Sequence, residues 1–363
     1  MKPQLHEKFM RQALELALKA KGKTSPNPLV GALVVKHNKI IARGFHHKAG
    51  LAHAEVLALN QAGRRAKGAT LYVSLEPCCH YGRTPPCIEK IIKSKVSRVV
   101  IGMKDPNPKV NGKGMKILRS HGIDVVAGFL EEDLARINES YIKYITKHLP
   151  FVVVKVAQSL DGKISTHTGD SQWITSKDAR DFSRKLRNNF DAIMVGVNTL
   201  LKDNPNLKPQ TAKQNFYKII VDSKLQTHID AKILFPYPER VIIATTKFAN
   251  KDKARFFSQR NIKVWVLADT NGRVDLKVLL SRLAGYEISS VFVEGGGTLI
   301  GSLFDQRLVD KVMFFLAPKI IGGRDAISSV MGEGVKLLKN ALNIKELQIR
   351  MIGKDILIEG YIK

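Results

Sequence analysis

His53-Ala54-Glu55 and the stretch Glu76-Pro77-Cys78-Cys79-His80-Tyr81-Gly82-Arg83-Thr84-Pro85-Pro86-Cys87 contain the residue types from which a zinc centre is built. One imidazole, His53, and two thiols, Cys78 and Cys87, make three protein ligands. Three ligands leave the fourth tetrahedral position for water, the pattern of a catalytic rather than a structural zinc. Glu55 lies two residues past the histidine. It is close enough to exchange protons with an activated water without being a ligand itself.

Zinc nucleobase deaminases use such a set to direct water at an amino-bearing ring carbon, and their signature has two residues between the cysteines. Here eight residues separate Cys78 from Cys87. The bland alternatives are concrete: two cysteines in one loop can simply pack, and a glutamate early in a helix is favoured by the helix dipole alone. Their conjunction in matching local structure argues for the metal. Thr70 to Leu75 reads as a strand ending at Glu76-Pro77, Thr84-Pro85-Pro86 reads as a helix start with Cys87 in its first turn, and His53 opens a helix to about Ala62. Cys79 is surplus, because a side chain adjacent to a ligand normally points elsewhere.

The remaining elements form a scaffold around these residues. His6 to Lys21 reads as an amphipathic helix stopped at Gly22, and Leu29–Val35 with Ile40–Phe45 as a hairpin around His37-Asn38-Lys39. Strand 97–102, helix 113–121, strand 123–126 and a single helix from Glu131 to Lys147 complete an alternating pattern, which argues for a sheet with helices on both faces. Leu149-Pro150 breaks it, giving domains 1–148 and 149–363. The second starts with a strand from Phe151 to Ala157, followed by a helix from Ser176 to about Arg187. Strands at 191–196, 217–222, 240–245, 263–267 and 289–293 follow. The last runs into Glu294-Gly295-Gly296-Gly297-Thr298-Leu299, and a strand, glycines and then a helix can cradle a phosphate or merely turn tightly. The expected fold class is α/β in both domains.

With 363 residues the chain has room for two cores of ordinary size. It has no apolar run long enough to cross a bilayer and no apolar leader, so a soluble cytoplasmic protein is expected. Three cysteines, two of them assigned to metal, leave no disulfide framework and fit a reducing compartment. The net charge is +27. The excess is spread, +15 over residues 1–150 and +12 over 151–363, without a basic tail or block. That distribution fits attraction of small phosphorylated substrates and disfavours a specific nucleic-acid partner.

Taken together, His53-Ala54-Glu55, Glu76-Pro77-Cys78, Gly82-Arg83-Thr84-Pro85-Pro86-Cys87 and the segments around 159–173 and 294–302 resemble the bifunctional deaminase/reductase family of riboflavin biosynthesis. The resemblance covers nearly the whole chain. It implies a cytidine-deaminase-like three-layer αβα domain followed by a dihydrofolate-reductase-like α/β domain, with one zinc and NADPH as cofactors. It also implies deamination of 2,5-diamino-6-ribosylamino-4(3H)-pyrimidinone 5′-phosphate and then reduction of the ribosyl chain to ribityl. By the same resemblance Asn27, His46, His80 and Arg83 meet the first substrate. Ala157, Trp173, Thr199, Asp203, Ser223 and Gly296, Gly297, Thr298, Leu299, Ile300, Gly301 and Ser302 match cofactor positions. Lys155, Ser171, Arg187, Leu207 and Glu294 match positions that meet the second substrate, with Lys155, Asp203 and Glu294 nearest the reacting sugar carbon. One departure stands out: some relatives have an arginine where this chain has Gln210, which leaves Arg187 as the expected cationic anchor. Two rival readings are a tRNA adenosine deaminase, disfavoured by the cysteine spacing and the second domain, and a non-enzymatic RNA-binding protein, disfavoured by the complete ligand set with Glu55. The oligomeric state is left open.

Overall fold

The structure, a computed structural model, describes residues 3–211 and 215–362. The chain divides into two compact units, Met1–Leu149 and Pro150–Lys363.

In the first unit, α1 (Pro3–Leu18) precedes β1 (Gly31–Lys36) and β2 (Lys39–Phe45). There follow α2 (Ala54–Ala62), β3 (Thr70–Leu75), α3 (Cys87–Lys93), β4 (Arg98–Met103), α4 (Lys113–Ser120), β5 (Asp124–Ala127), α5 (Glu131–Ile137) and α6 (Glu139–Lys147). The sheet order is β2-β1-β3-β4-β5, with β1 antiparallel to β2 and β3, and β3, β4 and β5 parallel. Consecutive residues of the central strands, such as Leu71, Tyr72 and Val73 or Val99, Val100 and Ile101, are all buried. Burial on both faces is what helices on both sides require. At Gly44 a Cβ would come within 2.3 Å of the Ala54 carbonyl oxygen. The missing side chain lets the first turn of α2 lie directly on β2, which sets the position of His53 and Glu55.

Two expectations shift. The first helix stops at Leu18, and its end tightens into three-residue bonds such as Ala20 N–H to Ala17 O (3.1 Å). The single helix expected over 131–147 is two, because Asn138 turns its side chain onto a distant strand entry: Oδ1 accepts from Leu29 N–H (2.7 Å) and Nδ2 donates to Leu29 O (3.2 Å). An asparagine that bonds backbone elsewhere competes with the helix it sits in.

The second unit runs β6 (Phe151–Ser159), β7 (Lys163–Ser165), α7 (Lys177–Leu186), β8 (Ala192–Gly196), α8 (Val197–Asp203), β9 (Tyr217–Val221), β10 (Val241–Thr245), α9 (Lys251–Gln259) and β11 (Lys263–Val266). It continues with β12 (Asp269–Thr270), β13 (Arg273–Val274), α10 (Leu276–Gly285), β14 (Ser290–Glu294), α11 (Gly297–Asp305), β15 (Lys311–Ala317), β16 (Ile327–Ser328), β17 (Ile344–Ile352) and β18 (Asp355–Ile362). Its main sheet has the order β11-β10-β9-β8-β14-β6-β15-β18-β17. The strands from β11 to β15 are parallel, and β18 and β17 add an antiparallel end that the sequence pattern did not reveal. β14 lies between β8 and β6, so Glu294, at its carboxyl end, is the direct neighbour of Lys155 on β6. Open parallel sheets gather ligands at the carboxyl ends of their strands.

Candidate active sites

Three elements carry the candidate metal-ligating set. His53 is the N-cap residue of α2, in extended backbone, Cys78 lies three residues past β3, and Cys87 is the first residue of α3. Pro86 precedes Cys87 in extended conformation and so starts the helix at the ligand itself, three residues later than the sequence pattern suggested. The ligand atoms of His53, Cys78 and Cys87 all lie within 4.8 Å of one another. His53 Nδ1 is 3.0 Å from Cys87 Sγ and 3.5 Å from Cys78 Sγ. Tetrahedral zinc, with bonds of about 2.0 Å to nitrogen and 2.3 Å to sulfur, needs nitrogen–sulfur edges of about 3.5 Å, so the donor set fits the ion with little movement. The other ring nitrogen, Nε2, is 3.2 Å from Thr84 Oγ1, the outer partner that fixes a ligating imidazole in one tautomer. Hydrogen bonds from Cys87 and His53 draw the Cys78 thiol well down, and Cys87 is pushed up by that same bond to Cys78 and by burial. Cys79 lies outside the cluster, its Sγ 3.6 Å from Lys109 O.

Glu55 is 3% exposed, beside Cys87. Burial, reinforced by Cys78, pushes its carboxyl up to about 7. A carboxyl near neutrality can both take and give a proton. His46 is buried, its ring 5.1 Å from that of His53 and edge-on to it. Its Nδ1 is 3.3 Å from Ala52 O and its Nε2 3.1 Å from Asn27 Nδ2. Burial holds this imidazole below its usual pKa, so the neutral ring donates to Ala52 O and accepts from the Asn27 amide. His80 follows Cys78 by two residues, and its buried Nδ1 has no hydrogen-bond partner among the described residues, an orphaned polar atom in the loop that carries Cys78. Arg83 is exposed on that loop.

No role for Glu76 could be read from the sequence pattern. Its buried carboxylate accepts backbone N–H groups from Gly112 (2.9 Å), Met115 (3.2 Å) and Asp105 (3.3 Å), tying the segment that carries Cys78 to the start of α4. A buried acid ahead of Pro77-Cys78 was the available signal, but its three partners lie 29 to 39 residues away. Asp105 in turn accepts from Tyr141 Oη and Asn107 N–H, both at 2.9 Å, and burial pushes it up to about 6. A folded pKa above the unfolded one means that this group's contribution is complete below about 3.8 and is lost as pH rises through about 6, by up to about 3 kcal/mol. Asp105→Asn keeps the hydrogen bonds without the charge. In denaturant titrations it should gain stability relative to wild type between pH 4 and 6; a constant difference across that range would show that Asp105 is not the titrating group.

The second unit holds a cleft of about 1010 Å³. Of the residues picked out by sequence, Lys155, Ala157, Ser171, Trp173, Arg187, Thr199, Asp203, Leu207, Gln210, Glu294, Gly296 and Ile300 line it. The structure does not bring Ser223, Gly297, Thr298, Leu299, Gly301 or Ser302 to its walls. Ser223 Oγ instead accepts from Val274 N–H (3.1 Å), and Gly297 and Gly301 serve close packing: a Cβ at Gly301 would sit 1.5 Å from Met331 O. Gly295 and Gly296 make the turn itself at φ 110° and 86°, against Thr199.

At the centre, Glu294 meets Arg187 through two parallel bonds, Nε to Oε1 at 2.5 Å and Nη2 to Oε2 at 3.0 Å, with Lys155 Nζ 3.7 Å away. Burial alone would raise Glu294, but Arg187 and Lys155 outweigh it and hold the carboxyl below its usual range. Burial lowers Lys155. Arg187 Nη1 also donates to Lys208 O (2.8 Å), so the expected anion anchor is already engaged within the protein. Ser171 Oγ donates to Asp203 Oδ1 (3.1 Å), and Arg180 stacks over Trp173, 4.3 Å from its ring centre.

Comparison with known proteins gives two family models: the cytidine and deoxycytidylate deaminase zinc-binding region over residues 3–103 and the RibD C-terminal domain over residues 150–358. The chain is 42% identical over 358 residues to the riboflavin biosynthesis protein RibD of Aquifex aeolicus (strain VF5), covering 98% of each. It is 36% identical over 364 residues to that of Escherichia coli (strain K12), covering 96% of this chain and 97% of the relative. Among solved structures it is similar to form 1 of Acinetobacter baumannii RibD, with TM-score 0.90 and 34% identity over 100% of both chains. It is also similar to a diaminohydroxyphosphoribosylaminopyrimidine deaminase/5-amino-6-(5-phosphoribosylamino)uracil reductase from Thermotoga maritima, with TM-score 0.84 and 36% identity over 99% of both.

Proposed function

The chain belongs to the RibD family of riboflavin biosynthesis proteins, and from that membership we propose how two successive reactions divide between its units. It is a bifunctional zinc-dependent deaminase and NADPH-dependent reductase. Residues 1–148 deaminate diaminohydroxyphosphoribosylaminopyrimidine, and residues 149–363 reduce the resulting 5-amino-6-(5-phosphoribosylamino)uracil to its ribityl product. The observation that carries this reading is the convergence of His53, Cys78 and Cys87 with the buried Glu55 beside them.

Zinc supplies Lewis-acid activation of water when bound, and NADPH supplies the hydride. His53 Nδ1 and the thiolates of Cys78 and Cys87 would hold the metal, with Thr84 steadying the imidazole from behind. The Glu55 carboxylate takes a proton from the attacking water and returns it to the departing amine. Asn27, oriented by His46, together with His80 and Arg83, positions the pyrimidine. In the second unit, Arg187 and Lys155 keep Glu294 ionised where positive charge develops on the sugar carbon. Lys155, lowered by burial, is a ready donor to the sugar oxygen as the ring opens. Trp173, Thr199, Asp203 and the Gly295-Gly296 turn form the cofactor's side of the cleft. Small phosphorylated pyrimidines are the partners. Among the described residues no helix is long and apolar enough to cross a membrane, and the free thiols support a cytoplasmic setting.

One assay tests the whole reading: the purified chain, given the diaminopyrimidine and NADPH, should release ammonia and oxidise the cofactor in sequence. The metal assignment has its own test. The protein should carry about one zinc per chain, Cys78→Ser and Cys87→Ser should lose it, and Cys79→Ser should retain it. Full zinc in either ligand variant would overturn the assignment.

A further inference from the structure

The reductase cleft is lined by more cations than its own acids neutralise. Lys177 and Arg184 share Asp181, at 2.6 and 3.7 Å, and Arg180 is stacked on Trp173 with Nη1 donating to Thr175 O. Lys155 and Arg187 share Glu294. Arg187 commits three of its five N–H donors to Glu294 and the Lys208 carbonyl, with its charge shared with Glu294, and Gln210 brings no charge.

Lys208 lines the same cleft and differs from these cations. Its backbone is held at its own carbonyl and three residues further on: the carbonyl accepts from Arg187, and Thr211 N–H and Oγ1 both donate to Asn188 Oδ1, at 3.2 and 2.9 Å. Its ammonium has no acidic partner among the described residues. A second lysine lies close by. Lys218, whose Nζ donates to the carbonyls of Ile233 and Phe235, is lowered to about 8 by burial and then by Lys208. Lys155, Arg187, Glu294 and Lys208 together carry a net charge of +2. A phosphomonoester carries about −1.5 to −2 near neutrality, so one such group would balance them.

We propose that Lys208 is the anchor for the 5′-phosphate of the reductase substrate, held in place by the Arg187–carbonyl bond that links it to the Glu294–Lys155 pair. The proposal rests on the reading that this unit reduces a phosphoribosyl compound. It also explains how the cleft can bind a phosphate with a neutral residue at position 210 and with Arg187 committed to Glu294.

The test is the Michaelis constant of the full chain at saturating NADPH, for 5-amino-6-(5-phosphoribosylamino)uracil and for its dephosphorylated analogue. Lys208→Ala should raise KM for the phosphorylated substrate tenfold or more, the scale of one charge-assisted contact. Lys208→Arg should restore it to within about threefold, and for the dephosphorylated analogue wild type and Lys208→Ala should agree. An unchanged KM, or an equal rise with both substrates, would overturn the anchor. So would a rise confined to KM for NADPH and absent with NADH, which would place Lys208 on the cofactor's 2′-phosphate. Should wild type itself fail to reduce the substrate, the assigned reaction falls, and the anchor is then decided by inorganic phosphate alone. Calorimetry should find phosphate binding at least tenfold weaker in Lys208→Ala, and equal binding would refute it.

Discussion

Glu55→Gln should abolish ammonia release, lowering the rate by about 10²- to 10⁴-fold, the usual size of a general acid–base contribution. An amide of the same shape cannot accept the proton from water or pass it to the leaving amine. Zinc should remain at about one per chain, because the ligand atoms belong to His53, Cys78 and Cys87. Given already deaminated pyrimidine, the same variant should oxidise NADPH at the wild-type rate, since Glu55 lies in the unit Met1–Leu149 and the reductase cleft in Pro150–Lys363. This pattern also separates the rival readings. A tRNA deaminase would show no NADPH chemistry in any variant, and an inert binding protein would show neither reaction. Loss of both activities with zinc and fold intact would refute independent sites.

Glu294→Gln should do the reverse and also cost stability. Glu294 and Arg187 have side chains only 7% and 14% exposed, and Lys155 lies alongside at 16%. Removing the one carboxylate leaves two largely buried cations without a counter-charge, a change that typically costs about 3–5 kcal/mol. Reduction should fall by about two orders of magnitude or more, because both the ionised carboxylate and the placement of Arg187 are lost. Lys155 would also lose the partner that raises it, so residual activity should shift its pH profile downward. Deamination should be spared. Unfolding followed by denaturant, together with both assays, reads all three outcomes, and a fully active, fully stable variant would show that the Arg187–Glu294–Lys155 cluster is incidental.

What could be read from the sequence depended on how local the cause was. His53, Cys78 and Cys87 could be singled out as a candidate donor set because the ligand types a metal requires follow from its chemistry; the structure brings their ligand atoms within 4.8 Å of one another, and β3 with α3 appeared nearly where the pattern placed them. Glu76 did not, because its carboxylate is meaningful only beside the N–H groups of Asp105, Gly112 and Met115. Arg187 was legible as a cation but not as a committed one, its partner Glu294 being 107 positions away. The glycine run was readable as a turn, yet Gly297 and Gly301 turned out to face the backbone of Ser328 and Met331. Asn138 carried no signal that it would reach back to Leu29 and split a helix. The antiparallel end of the second sheet stayed hidden for two reasons: β15 is a continuous apolar run, and the strict alternation of β17 is broken by a bulge between Lys345 and Gln348.

The register that pairs Glu294 with Lys155 has a bearing on how each half of the molecule is made. The proposed metal donors span residues 53 to 87 and sit on elements that are complete within the first third of the chain. Lys155 and Glu294 face each other only when β14 inserts between β8 and β6, closing a loop that contains most of the second unit. Closing a long loop costs entropy before any contact repays it, and strand pairings of large sequence separation form slowly. On the ribosome the metal-binding pocket can therefore be finished while the residues that complete the reductase cleft have not yet been synthesised.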